Sequence, residues 1–194
     1  PRTGTPRWFE SYSDYVDAID GLVGSGALPD PSFLWWDVRL QPRLGTVEVR
    51  VMDAQSTVAD IESLVALIQS FARLALEGGF LPEPSGPEVM EENGFLAARD
   101  GMDARLIDPV ERRLVPVRDL LAGLLDECRP HAARLDCAVE LEGVRALAAC
   151  NGAMRQRESL SSRAGFGGLV AGLADQFTMR GGDRGALYTE PTFR

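Results

Sequence analysis

The chain has 194 residues, 45% of them hydrophobic and 25% charged, with a net charge of −9; this fits one globular domain long enough to bury a core. All 20 basic residues are arginine, which excludes Schiff-base chemistry, pyridoxal phosphate anchoring and a P-loop lysine within this chain. The acidic balance disfavours nucleic acid and anionic membranes as partners, and no apolar run approaches the ~20 residues of a membrane span.

Any phosphate held here is held by arginine, metal or backbone. Cys128, Cys137 and Cys150 lack metal-ligand spacing and read as reduced thiols of a cytoplasmic protein. The chain opens Pro1-Arg2-Thr3-Gly4-Thr5-Pro6, which is neither an apolar leader nor an initiator methionine and reads as a fragment or a processed chain.

In chain order, Tyr12, Tyr15, Val16, Ile19, Leu22 and Val23 keep helical spacing. Ser11 or Ser13 is the N-cap, and Gly24 and Gly26 close the run. Two strands follow, Leu34 to Gln41 and Thr46 to Met52, joined by Pro42 to Gly45. Alternate strand residues share a face. Leu34, Trp36, Val38 and Leu40 therefore line one side of the first strand, and Val47, Val49 and Val51 one side of the second. The two apolar faces coincide only when an odd-numbered residue lies opposite an even-numbered one, which a four-residue connection allows. That register places Arg39 opposite Glu48 and Asp37 opposite Arg50.

Two readings of this polar face stand. One is a cross-strand ion-pair ladder facing water. The other is an anion-plus-metal site, where carboxylates hold a hard cation and guanidiniums fork onto phosphate or carboxylate. The adjacent Trp35 and Trp36 put indole on both faces of the strand, which suggests that something covers the polar face too.

Thr57 caps the next helix, with Asp60 at the third helical position. Val58, Ile61, Leu64, Val65, Ile68, Phe71 and Ala75 form its apolar stripe, and Gly78-Gly79 ends it. The stripe is expected to pack on the valine face of the hairpin and leave the polar face toward a cleft. Asp53 and Gln55, at the strand end, read either as ligand contacts or as turn and cap chemistry. Leu81 to Pro87 reads as a rigid loop and Glu88 to Asp100 as a helix starting at Pro87.

A second hairpin follows around Asp108 to Glu111. The helix after it carries Val117, Leu120, Leu121, Leu124, Leu125 and Cys128 in register, and Pro130 breaks or kinks it. His131, the single histidine, falls on what reads as exposed helix, and triad chemistry finds no support. Leu141, Val144, Leu147 and Ala148 make another helix, stopped by Asn151-Gly152, and the last helix carries Phe166 to Phe177. Residues 180–194 show no periodicity and read as a tail.

Trp35-Trp36-Asp37-Val38-Arg39, followed by Gly45-Thr46-Val47-Glu48-Val49-Arg50-Val51-x-Asp53, resembles the signature of the carboxylate–amine ligases related to glutamate–cysteine ligase. The Pro-Arg-x-Gly-x-Pro opening, Asn93 with Ala97 and Arg99, and Asn151-Gly152-x-x-Arg155-Gln156-Arg157 resemble further segments of that family. The resemblance implies an α+β fold, an antiparallel glutamine synthetase-like sheet packed with several helices, with residues 1–179 as the C-terminal half of the catalytic domain. It implies ATP and Mg²⁺ as cofactors, glutamate or another carboxylate as one substrate, and an amine such as cysteine as the other. Glu48 would be the metal ligand and Arg50 the phosphate clamp. Arg39 and Asp37 are assigned to the same site, and Arg99 and Arg155 are candidate nucleotide contacts; a structural salt bridge is the other reading of Arg99. The family's other metal carboxylates lie in a first half that this chain lacks. The chain alone is therefore expected to be inactive, completed by that half or by a homo-oligomer. The rival class is a non-catalytic interaction module that kept the fold.

Overall fold

A computed structural model of the chain describes residues 2–78, 86–161 and 165–178. Ser11 accepts from the Asp14 amide and starts the first helix, α1 (Tyr12–Gly24). Before it, a two-residue strand β1 (Thr3–Gly4) runs parallel to β2 (Trp35–Trp36). The chain's opening segment is therefore tied into the ribbon rather than loose. The expected single strand from Leu34 to Gln41 is broken at Asp37, because the backbone changes partner there. The Asp37 amide donates to the Gly4 carbonyl at 3.0 Å, while its own carbonyl accepts from the Arg50 amide at 2.7 Å.

Beyond Asp37, β3 (Val38–Gln41) pairs antiparallel with β4 (Thr46–Val49). The observed register is the expected one, with Arg39 opposite Glu48 and Leu40 opposite Val47. Gly45 has φ +62, a left-handed conformation that a Cβ would strain, and lets Pro42–Gly45 close the turn.

Helix α2 (Val58–Leu76) is capped by Thr57, whose hydroxyl accepts from the Asp60 amide. α3 (Pro87–Asp100) begins on Pro87. The second hairpin forms as expected from β5 (Arg105–Asp108) and β6 (Arg113–Pro116). It is followed by α4 (Val117–Arg134), α5 (Ala138–Ala149), α6 (Gly152–Ser161) and α7 (Gly165–Thr178). Among the described residues the result is an α+β arrangement of seven helices and three two-stranded sheets. No described helix is long and apolar enough to cross a membrane. Most of the predicted loop before Pro87 and the tail at 180–194 lie outside the described residues.

Two cores form. Ala66, Leu74, Leu125, Cys128, Ala132, Leu141 and Val144 join α2, α4 and α5. Tyr15, Ile19, Leu28 and Leu34 form the second, under the ribbon, with Trp36 and Leu40 packed against it.

Three expectations are corrected here. α2 packs on α4 and α5 rather than on the valine face of the hairpin. Its buried face is Asp60, Ser63, Ala66, Ser70 and Leu74, rotated away from the apolar stripe, which leaves Val58, Ile61, Val65 and Phe71 exposed. The reason is close approach: a Cβ built on Gly143 of α5 would lie 2.2 Å from Ser63 Oγ, so α2 and α5 meet along small residues. Finally, α4 runs on through Pro130, and His131 is mostly buried beside Glu77, 3.4 Å from Oε2, not on an exposed face.

Candidate functional site

The polar face of the β3–β4 ribbon converges on Glu48. Its Oε2 accepts from Arg39 Nε at 3.2 Å, Arg39 Nη2 at 2.6 Å and Gln41 Nε2 at 2.6 Å. Its Oε1 accepts from Arg50 Nη1 at 2.6 Å. Strand alternation brings these side chains to one side, since residues 39 and 41 share a face and Glu48 lies directly opposite Arg39. The Gln41 bond first, then those from Arg39 and Arg50, pull the Glu48 carboxyl from its ordinary 4.5 down to about 2. Glu48 is thus a fixed carboxylate across the physiological range.

The two arginines differ in kind. Arg39 is only 7% exposed. Its Nη1 donates to the Ser32 carbonyl at 2.6 Å and to the Leu34 carbonyl at 2.8 Å, so its fork is committed to Glu48 and to backbone. Arg50 is 39% exposed in its side chain and reaches Glu48 through one nitrogen. Of the two, Arg50 is the cation that can turn to an incoming anion. Asp37 accepts from the Thr5 hydroxyl at 3.0 Å, and its expected pairing with Arg50 forms through backbone only.

The remaining sequence candidates pair elsewhere. Arg99 forks onto neighbouring Asp100 and lies over the Phe95 ring. Arg155 donates to Asp60 Oδ2 at 2.5 Å and to the Cys150 carbonyl at 2.7 Å, joining α6 to the start of α2. Asn93 donates to the Ile107 carbonyl and accepts from its amide, which docks α3 on β5. Gln41 is the member of the cluster that sequence reasoning did not nominate. Its signal was available, since it shares the strand face of Arg39 and lies diagonal to Glu48.

A divalent cation is the group the family resemblance implies, and Mg²⁺ asks for about six oxygens in octahedral array. Among the described residues no three His, Cys, Asp or Glu side chains converge as a metal site. Both Glu48 oxygens already accept hydrogen bonds. One carboxylate ringed by guanidinium and amide donors does not make a Mg²⁺ site by itself; Glu48 can supply one ligand, once Arg50 leaves Oε1.

The sequence profile of glutamate-cysteine ligase family 2 matches residues 1–189. The chain is similar to a Rubrobacter xylanophilus protein provisionally named glutamate–cysteine ligase 2-1, 39% identical over 194 residues, covering 99% of this chain and 50% of the relative. A second protein of that organism, provisionally named glutamate–cysteine ligase 2-3, is 39% identical over 90% of this chain and 47% of its own length. A Gloeobacter violaceus protein with the provisional name glutamate–cysteine ligase 2 is 36% identical over 88% of this chain and 47% of its own. The chain spans about half the length of these curated relatives.

Proposed function

We propose an activity from one premise: the chain belongs to glutamate-cysteine ligase family 2. It supplies the C-terminal half of the catalytic domain of an ATP-dependent carboxylate–amine ligase. A substrate carboxylate, glutamate or a similar acid, attacks the γ-phosphate of ATP and releases ADP. The resulting acyl phosphate is attacked by an amine such as that of cysteine, which expels phosphate and forms the amide. ATP and Mg²⁺ are the cofactors of this reading, and the reaction belongs to the cytoplasm. The metal ligands beyond Glu48 come from outside the described residues.

One observation carries the proposal: Arg39, Gln41, Glu48 and Arg50 meet on one ribbon face, with Arg39 buried and Arg50 accessible. A ladder facing water does not bury a guanidinium on two backbone carbonyls. Arg39 holds Glu48 in place, and Glu48 orients Arg50. Arg50 donates to the phosphoryl oxygens, whose spread charge is what a positioned guanidinium stabilises. Arg99 and Arg155 are held in structural pairs and are given no step.

A second reading has its own observation. Both Glu48 oxygens are satisfied without any ligand, as in a non-catalytic module that keeps the fold.

Coupled ADP release with glutamate, cysteine and ATP separates the two. This chain alone turns over no ATP. Co-produced with the other half of a relative, it does, and Glu48→Gln or Arg50→Ala lowers the rate by about 100-fold or more with folding intact. Unchanged turnover in both variants supports the module reading, and robust turnover by the chain alone removes the half-site proposal.

A further inference from the structure

Two apolar faces are only partly covered among the described residues. On the β3–β4 ribbon the register puts Val38, Leu40, Val47 and Val49 on one side. Val38 is 43% exposed and Val47 59%, and Val51 just beyond is 64% exposed. On α2, the stripe Val58, Ile61, Val65 and Phe71 is between 39% and 46% exposed. A hairpin with one solvated side normally buries its apolar side; here Leu40 packs on the second core, but Val38 and Val47 stay exposed while Arg39 is buried. Single exposed apolar residues are ordinary, but three valines along one ribbon face and four large apolar residues along one helix are not. The short connection 50–57 joins the two. Val38 and Leu40 also floor an open cleft of about 540 Å³ walled by Trp8, Tyr12 and Trp36.

We infer that these two faces together form the seat for the polypeptide that makes up the other half of the relatives' length. The inference rests on the half-domain part of the proposed function, not on its chemistry. Length argues for this occupant, because the relatives carry about as many residues again as this chain spans. Charge argues against a second copy, because docking two chains of −9 each brings like fields together. Exposed apolar positions on a sheet face, a helix stripe and an aromatic cleft fit apolar side chains on a folded partner better than one small molecule. The valine face lies opposite the Glu48 cluster, so the partner can seat there without covering Arg50.

The test co-produces the tagged chain with the part of the first-named Rubrobacter relative that it does not match, and follows amide exchange. The expected result is a 1:1 complex with new protection at 38–51 and 58–71. Val47→Glu weakens it by about tenfold or more, without changing the thermal unfolding of the chain alone. Leu44→Glu, at the exposed turn, leaves it intact. The inference is overturned by the absence of a complex, by a complex indifferent to Val47→Glu, or by a self-dimer that Val47→Glu dissociates. A Val47-dependent complex that releases no ADP contradicts the ligase reading alone. An ADP-releasing complex indifferent to Val47→Glu contradicts the interface alone.

Discussion

Arg39 and Arg50 lie on the same ribbon and touch the same carboxylate, yet substitution separates them. Arg39→Ala leaves two backbone carbonyls and one side of Glu48 without a donor. It is expected to destabilise the fold by about 2–4 kcal/mol in urea denaturation. Arg39→Lys recovers only part of this, because an ammonium lacks the planar fork. Arg50→Ala, at a more exposed pair, costs less than about 1 kcal/mol. Equal losses for the two would contradict the division of roles.

The acidity of Glu48 gives a signed prediction. Its folded value of about 2 lies below its ordinary 4.5, so between these pH values the unfolded chain binds the proton more readily. The contribution of Glu48 to stability is therefore complete above 4.5 and declines as pH falls toward about 2. Glu48→Gln flattens this part of the acid limb of the urea midpoint; an unaltered limb shows that other carboxylates carry it.

At this scale the register was legible, because alternation and a four-residue turn allow one pairing that keeps the valines together. The polar cluster followed from it. The bond between Arg155 and Asp60 was not legible, because it joins residues 95 apart in sequence. Nor was the burial of Arg39, which depends on how residues 32 and 34 turn before the strand.

Among the elements, α2 shows why hydrophobic periodicity found the helix and missed its packing. Its largest apolar residues form a stripe, but α2 and α5 approach closely through small ones, Ser63 against Gly143. Gly143→Ala is expected to cost about 1–3 kcal/mol, measured by thermal or urea unfolding. Removing the clashing hydroxyl in the Ser63→Ala, Gly143→Ala double variant restores part of it. Additive losses contradict close approach as the cause. The hairpin carries the same lesson. Its polar side buries Arg39 while its apolar side leaves Val38 and Val47 exposed, which no pattern of residues taken alone signals. Helix starts were legible from chemistry: Ser11, Thr57 and Pro87 each begin a helix as their side chains dictate.

For the molecule as a whole, two separate cores form and two apolar faces stay partly exposed, and the proposed seat for a partner is read from these. The bulk composition gave no sign of this, since an exposed stripe and a buried one have the same residues. The chain spans about half the length of the relatives it matches, and the proposed occupant rests on that. The central claim is that this half carries the arginine clamp of an acyl-phosphate-forming ligase. Transfer of ¹⁸O tests it most directly. The chain, joined with its complementary half, is supplied with ATP, cysteine and glutamate labelled in the γ-carboxylate. One ¹⁸O is expected in each inorganic phosphate released, with Arg50→Ala lowering the yield. Amide formation with unlabelled phosphate contradicts it.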